Sequence, residues 1–238
     1  MFITALSAFD DNYIWAIQPA ANANQVILVD PGAAAPCHHW LNQHNYQLAA
    51  ILITHHHWDH TDGVKQLVQQ WNCPVYGPAN SSFTGITKPL HHGDSVDLPE
   101  LKLQWQVIAT PGHTLDHLSY FGHGTLFCGD TLFLAGCGRM FEGTPEQFHQ
   151  SLRLLAELPA ETRVYAAHEY SLANLRFAAA AMPGNAAVAA AQKRVEGLRD
   201  QGLPSLPTTL IEERAINPFL RADSVSEFHR LRQWKDRF

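Results

Sequence analysis

A chain of 238 residues can bury a full core, and 46% hydrophobic content with a mean hydropathy of −0.17 describes a folded globular protein. No apolar run approaches the roughly 18 residues of a membrane span, and a net charge of −6 argues against nonspecific nucleic-acid binding. The first basic residue is Lys65, so the basic region of a secretory signal is lacking and a cytoplasmic location is expected.

Phe2 to Ser7, Tyr13 to Gln18 and Gln25 to Asp30 read as short strands rich in Ile, Val and aromatic residues, separated by Asp10-Asp11-Asn12 and Ala23-Asn24. Asp30-Pro31-Gly32 is a tight turn, and Ala33 to Asn45 is expected to be helical with Trp40 and Leu41 inward. Leu48 to Ile53 is a continuous apolar run of strand length, expected to be covered on both faces. Val64, Leu67, Val68 and Trp71 form the stripe of an amphipathic helix. Leu101, Leu103, Trp105, Val107 and Ala109 alternate as in a strand that stops at Thr110-Pro111-Gly112. A hairpin is expected around Gly122-His123-Gly124, then a helix opened by Thr144, Pro145 and Gln147, then a strand over Arg163 to Ala167. Ser171 to Met182 and Ala187 to Gln201 read as helices, and Ser224 with Glu227 caps a last helix expected to reach Phe238. Mixed elements followed by helices only predict an α+β domain over 1–168 and a smaller all-helical domain over 169–238.

Charge follows the same division. Residues 1–168 carry 6 Lys+Arg against 14 Asp+Glu, a balance of −8, and residues 169–238 carry 10 against 8, a balance of +2. The acidic part suits cation binding; on charge alone the basic tail reads as a solvated helical surface. Cys37, Cys73, Cys128 and Cys137 show no C-x-x-C spacing and read as free thiols.

The chemistry concentrates at strand ends. Thr54-His55-His56-His57-Trp58-Asp59-His60 follows the apolar run, and His113, Asp130 and His168 follow three later strands. Five imidazoles and two carboxylates exceed the three ligands of one catalytic zinc. They suit two ions, with His55, His57 and His113 on one, Asp59, His60 and His168 on the other, and Asp130 bridging. Such a nitrogen-rich set favours zinc, with iron or manganese as alternatives. His38, His39, His44, His91, His92, His123, His149 and His229 lack strand-end placement and read as surface residues. His56 should face away from the ligands, Trp58 should pack beneath the loop, and Asp30 and His117 should support the ligands from behind.

Thr54 to His60 matches the T-H-x-H-x-D-H signature of metallo-β-lactamase-fold hydrolases, and Thr110 to Thr114, Gly129-Asp130-Thr131 and Ala167 to Tyr170 match its later motifs in order. Across nearly the whole chain the sequence resembles the glyoxalase II, or hydroxyacylglutathione hydrolase, family. Asp130 to Phe133, Gly136 to Arg139, Phe141 to Thr144, Asn174-Leu175 and Asn217-Pro218-Phe219 carry that resemblance. It implies a four-layer αββα sandwich with a helical glutathione-binding domain, and cleavage of S-D-lactoylglutathione to D-lactate and glutathione, the second step of methylglyoxal detoxification. The nucleophile would be a hydroxide bridging two metals and oriented by Asp59. By position, Arg139, Phe141, Tyr170, Arg232 and Lys235 are the implied substrate contacts, with the cations meeting the glutathione carboxylates. Many relatives in that family have Lys at the place of Arg139, and many have Tyr at that of Phe141, where the hydroxyl contact is lost. A mononuclear-iron glutathione persulfide dioxygenase of the same fold is the alternative. A lactamase would call for export, a nuclease for an added basic domain, and a noncatalytic metal-binding protein for no open site. A monomer is expected, with no nucleic-acid or membrane partner.

Overall fold

The computed structural model describes residues 1–238 and divides into two compact units. The first comprises Met1–Ala109 and Asp116–His123, the second Thr110–Leu115 and Gly124–Phe238. Contacts thus divide the chain elsewhere than at 168/169. Strands of the 124–166 stretch pair with one another and with the tail, which makes that stretch part of the second unit.

The first unit opens with β1 (Phe2–Ala8), β2 (Asn12–Gln18), β3 (Gln25–Val29), α1 (Ala34–His44) and β4 (Gln47–Leu52). The short α2 (Trp58–Thr61) and α3 (Val64–Trp71) follow, then β5 (Val75–Pro78), β6 (Lys88–Leu90), β7 (Ser95–Leu98), β8 (Leu103–Ala109) and β9 (Leu118–Gly122). Strands β1 to β6 form one sheet in sequence order, antiparallel from β1 to β3 and parallel from β3 to β6. Leu6, Ile14, Leu28 and Ile51 on one face pack with Cys37 and Leu41 of α1 and Val64 and Leu67 of α3. Ala50 and Leu52 on the opposite face of β4 are equally buried, as a continuous apolar strand requires. Strands β7, β8 and β9 run antiparallel, and the Tyr120 hydroxyl of β9 donates to the Ile53 carbonyl at 2.5 Å.

The second unit holds β10 (Thr125–Gly129), the hairpin β11 (Leu132–Phe133) and β12 (Gly136–Cys137), α4 (Pro145–Ala156) and β13 (Arg163–Ala166). After these come α5 (Ser171–Ala181), α6 (Ala186–Asp200), β14 (Thr208–Thr209), α7 (Leu210–Ile216) and α8 (Val225–Lys235). Strand β13 lies parallel to β10 and antiparallel to β14. Thr144 and Gln147 form a reciprocal capping box on α4, and Ser224 accepts from the Glu227 amide to start α8. No helix is long and apolar enough to cross a membrane.

Three sequence expectations are corrected. The strand expected from Leu101 starts at Leu103, because Pro99–Leu101 form a 3-10 turn closed by Lys102 in a left-handed conformation, φ 55°. The tail is not purely helical, since Thr208–Thr209 adds a strand to β13. The last helix ends at Lys235, where the Asp236 amide caps it, not at Phe238. Strands β5, β6 and β7 and helix α7 escaped sequence reading; the first two are short and contain proline, which masks strand character.

Candidate metal centre

In the first unit the candidate ligands follow β4. Asp30, just past β3 with φ 52°, sends its carboxylate under them. The Thr54 amide donates to Asp30 Oδ1 at 2.7 Å, the Thr54 hydroxyl donates to Oδ2 at 2.7 Å, and His60 Nδ1 lies 3.0 Å from Oδ2. A carboxylate only accepts, so the His60 proton sits on Nδ1 and Nε2 turns inward as a Lewis base. The Thr54 hydroxyl proton is committed to Asp30, so its oxygen accepts from His55 Nδ1 at 3.0 Å, which leaves His55 Nε2 basic as well. His55 Nε2 and His57 Nδ1 are 3.0 Å apart, a pair that a shared cation or proton would stabilise. His60 Nε2 lies 3.5 Å from Asp59 Oδ2. The four side chains therefore fall into two pairs, His55 with His57 and Asp59 with His60.

Asp59 is aimed by a residue to which the sequence assigned no role in the site. Asn12 Nδ2 donates to Asp59 Oδ2 at 3.0 Å and to its carbonyl at 3.4 Å. The loop after β3 must pass close by: a Cβ on Gly32 would stand 1.7 Å from the Asp59 carbonyl oxygen, so only glycine fits. Asp30 supports the ligands from behind, and His117, fully buried, stacks on His55 at 4.8 Å. His56 turns to Asp116, Nδ1 to Oδ1 3.0 Å, as its place between two ligands predicts. Trp58 is a correction. It is 61% exposed, edge-on to the half-exposed Phe9 at 5.0 Å, because it opens α2 on the solvent side instead of packing under the loop.

In the second unit Asp130 lies between two histidines. Its Oδ2 is 3.4 Å from His113 Nε2 and its Oδ1 is 3.3 Å from His168 Nε2. The Asp130 carboxylate thus presents one oxygen to each of two imidazoles. His113 Nδ1 donates to the Arg139 carbonyl at 2.7 Å, which again leaves Nε2 basic. A Cβ on Gly138 would stand 2.1 Å from the Asp130 carbonyl, so the 138–139 backbone lies directly against the ligand segment. Tyr170, 38% exposed, stacks face to face on His168 at 4.7 Å, and the exposed Phe141 ring meets His113 edge-on at 5.3 Å. Two aromatic rings thus flank the two histidines.

The cations expected to meet substrate divide in two. Arg139 is exposed, with its guanidinium 5.9 Å over Phe141 and its Nε 3.6 Å from Asp236 Oδ1. Lys235 is half-buried, donates to the Ala173 carbonyl at 3.3 Å and stands over Phe177; burial and the nearby Arg232 lower its pKa. Arg232 departs from expectation. Only 5% exposed, it donates through Nη1 to the Cys137 carbonyl at 2.8 Å and the Gly138 carbonyl at 3.2 Å, and through Nη2 to Asp236 at 2.9 Å. Its guanidinium is occupied by the protein itself, so Arg232 holds the loop that bears Arg139 instead of presenting its charge to solvent. The four cysteines are buried free thiols, and burial pushes Cys37 up to about 12.

The fold and this donor set define a metallohydrolase. The metallo-β-lactamase superfamily model matches residues 9–168, and the hydroxyacylglutathione hydrolase C-terminus model matches residues 169–238. The chain is 49% identical to the hydroxyacylglutathione hydrolase of Idiomarina loihiensis, covering 99% of each chain, and 47% identical to that of Nitrosomonas eutropha, covering 97% of this chain and 96% of the relative. Among solved structures it is similar to ETHE1 from Myxococcus xanthus, with 28% identity and a TM-score of 0.75 over 98% of this chain and 90% of that one. The BLEG-1 B3 metallo-β-lactamase, at 21% identity and a TM-score of 0.68 over 93% and 99%, shares the fold. The chain belongs to the hydroxyacylglutathione hydrolase family, and it is a hydrolase that binds divalent metal.

Proposed function

We propose that two divalent ions, zinc by the preference of a nitrogen-rich set, are held by His55, His57 and His113 on one side and by Asp59, His60 and His168 on the other, with Asp130 shared. The observation that carries this reading is the Asp130 carboxylate, with one oxygen at each of two histidines. When bound, such ions lower the pKa of water and polarise a thioester carbonyl. Asp59, held by Asn12, accepts a hydrogen bond from the attacking nucleophile and so aims its lone pair. The Nδ1–H of His60 and of His113, given to Asp30 and to the Arg139 carbonyl, keep the inward nitrogens basic through the reaction.

The substrate is an S-(2-hydroxyacyl)glutathione, S-D-lactoylglutathione in the family's usual case. Arg139 and Lys235 meet the glutathione carboxylates, the Tyr170 hydroxyl donates to the peptide, and Phe141 lends an apolar wall in place of a hydroxyl. Arg232 serves the same site indirectly, by fixing the Cys137–Gly138 backbone. The thiolate of glutathione leaves, and the products are glutathione and a 2-hydroxy acid. Residues 169–238 act as the glutathione-binding domain of a cytoplasmic monomer.

Metal analysis paired with S-D-lactoylglutathione hydrolysis tests this reading. Two zinc equivalents and thioester cleavage are expected. Fully metallated protein that leaves the thioester intact would overturn the substrate assignment, and one iron with oxygen consumption would establish a dioxygenase instead.

A further inference from the structure

The β11–β12 hairpin begins two residues after Asp130 and ends two residues before Arg139, whose carbonyl accepts a hydrogen bond from His113 Nδ1. Side chains from far along the chain hold its backbone. Asn174 of α5 donates to the Leu134 carbonyl at 3.1 Å. Asn217, just after α7, donates to the Phe133 carbonyl at 3.3 Å and the Gly136 carbonyl at 2.9 Å. Glu213 of α7 accepts from the Ala135 amide at 2.9 Å, and Asn217 Nδ2 ties to the same Glu213 oxygen at 2.9 Å. Arg232 takes the Cys137 and Gly138 carbonyls. Ala135 adopts φ 53°, a left-handed conformation costly for a residue with a Cβ, at the point where Glu213 grips the amide.

Glu213 and Asn217 are both fully buried. A carboxyl in such a place costs desolvation that an apolar side chain of similar size would avoid. Fold stability alone therefore does not account for it. The hairpin bears none of the proposed ligands, so what the clamp fixes is what its two ends carry.

We propose that Glu213 and Asn217, supported by Asn174 and Arg232, are positioning residues for the metal centre: they hold the 132–138 backbone in the shape that seats Asp130 and the Arg139 carbonyl against His113. The proposal rests on the ligand assignment of the preceding subsection. Burial raises the Glu213 pKa to about 8, which keeps the group protonated at neutral pH and lets it sit in an apolar core without a counter-charge.

The test uses the full chain loaded with zinc(II) and the chelator 4-(2-pyridylazo)resorcinol, with far-UV circular dichroism as the check of folding. Glu213→Ala and Asn217→Ala are expected to release zinc on the order of tenfold faster than wild type, with a matching fall in kcat. Glu213→Gln, which keeps an acceptor for the Ala135 amide, is expected to stay close to wild type. Folded Ala variants that release zinc at the wild-type rate overturn the proposal. Should neither fold, Asn174→Ala, which removes only the Leu134 bond, decides: faster release supports the clamp and unchanged release overturns it. A wild-type protein that takes up no zinc would instead overturn the ligand assignment, so the two failures are distinguishable.

Discussion

The two groups of proposed ligands are braced in different ways. His55, His57, Asp59 and His60 lie within six residues, and one carboxylate, Asp30, steadies two of them through Thr54 and directly. Their geometry follows from a strand end and the single turn of α2. Asp130 and His113 depend on a backbone gripped by Asn174, Glu213, Asn217 and Arg232, which lie 40 to 95 residues along the chain from the carbonyls and amide they bind. Ligands contiguous in the chain make a motif that can be read; ligands whose backbone is held by the tail make a site that exists only once the tail has packed.

The largest expected effect breaks the second group at its centre. Asp130→Ala removes the residue proposed to serve both ions, so binding of both should weaken and kcat should fall on the order of 10³-fold or more, as several kcal/mol of metal-assisted stabilisation are lost. Loss of only one ion in metal analysis would refute the bridging role. Asp30→Asn challenges the first group with little change of shape. An amide nitrogen set against His60 Nδ1 or Thr54 opposes the donors there, and metal affinity should drop about 10–100-fold, read by chelator competition. An unchanged affinity would remove Asp30 from the support of either pair.

Lys235→Ala sharpens the role of the tail. Removing the cation proposed to meet a glutathione carboxylate should raise KM about tenfold and leave kcat nearly unchanged. A KM equal to wild type would take Lys235 out of the substrate site.

Glu213→Gln should scarcely alter activity at neutral pH but should flatten the stability profile. The carboxyl holds its proton in the fold up to about pH 8 against an ordinary value of 4.5. Below pH 4.5 both folded and unfolded chains are protonated and the native contribution is intact. As pH rises from there to 8, only the unfolded chain gives up the proton, and stability falls by up to about 1.4 kcal/mol per pH unit. Urea midpoints at pH 5, 6.5 and 8 should therefore diverge in wild type and converge in the variant. Equal slopes would mean that Glu213 is ionised in the fold at neutral pH.

How far the site was legible follows the same contrast. His55 to His60 could be assigned from an apolar run followed by alternating histidines, and His56 could be set aside by the same alternation. Trp58 could not, because its packing depends on which side of α2 meets solvent, and it pairs with Phe9 at the surface. Asn12 lies 47 residues from Asp59, so no spacing rule connects them. Arg232 and Lys235 share a helix face as their spacing predicts, yet one is buried and spent on backbone carbonyls while the other reaches half into solvent. Periodicity names a face; it does not say how deep a side chain sits. Glu213 and Asn217, four residues apart, have the spacing of a helix pair, but nothing in that spacing points to Ala135 or Gly136.

By itself the sequence determined the α+β class, the strand ends that carry the ligands, the chemistry of the donor set and the family, because periodicity, turn residues and a contiguous motif are local properties of the chain. Only the tertiary structure decided which oxygen of Asp130 meets which histidine, which ring nitrogens keep their protons, and that Arg232, Glu213 and Asn217 hold backbone in place. Those outcomes turn on hydrogen bonds between residues tens of positions apart. Their donors and acceptors are matched by burial, where every polar group must find a partner or bear the cost of going without one.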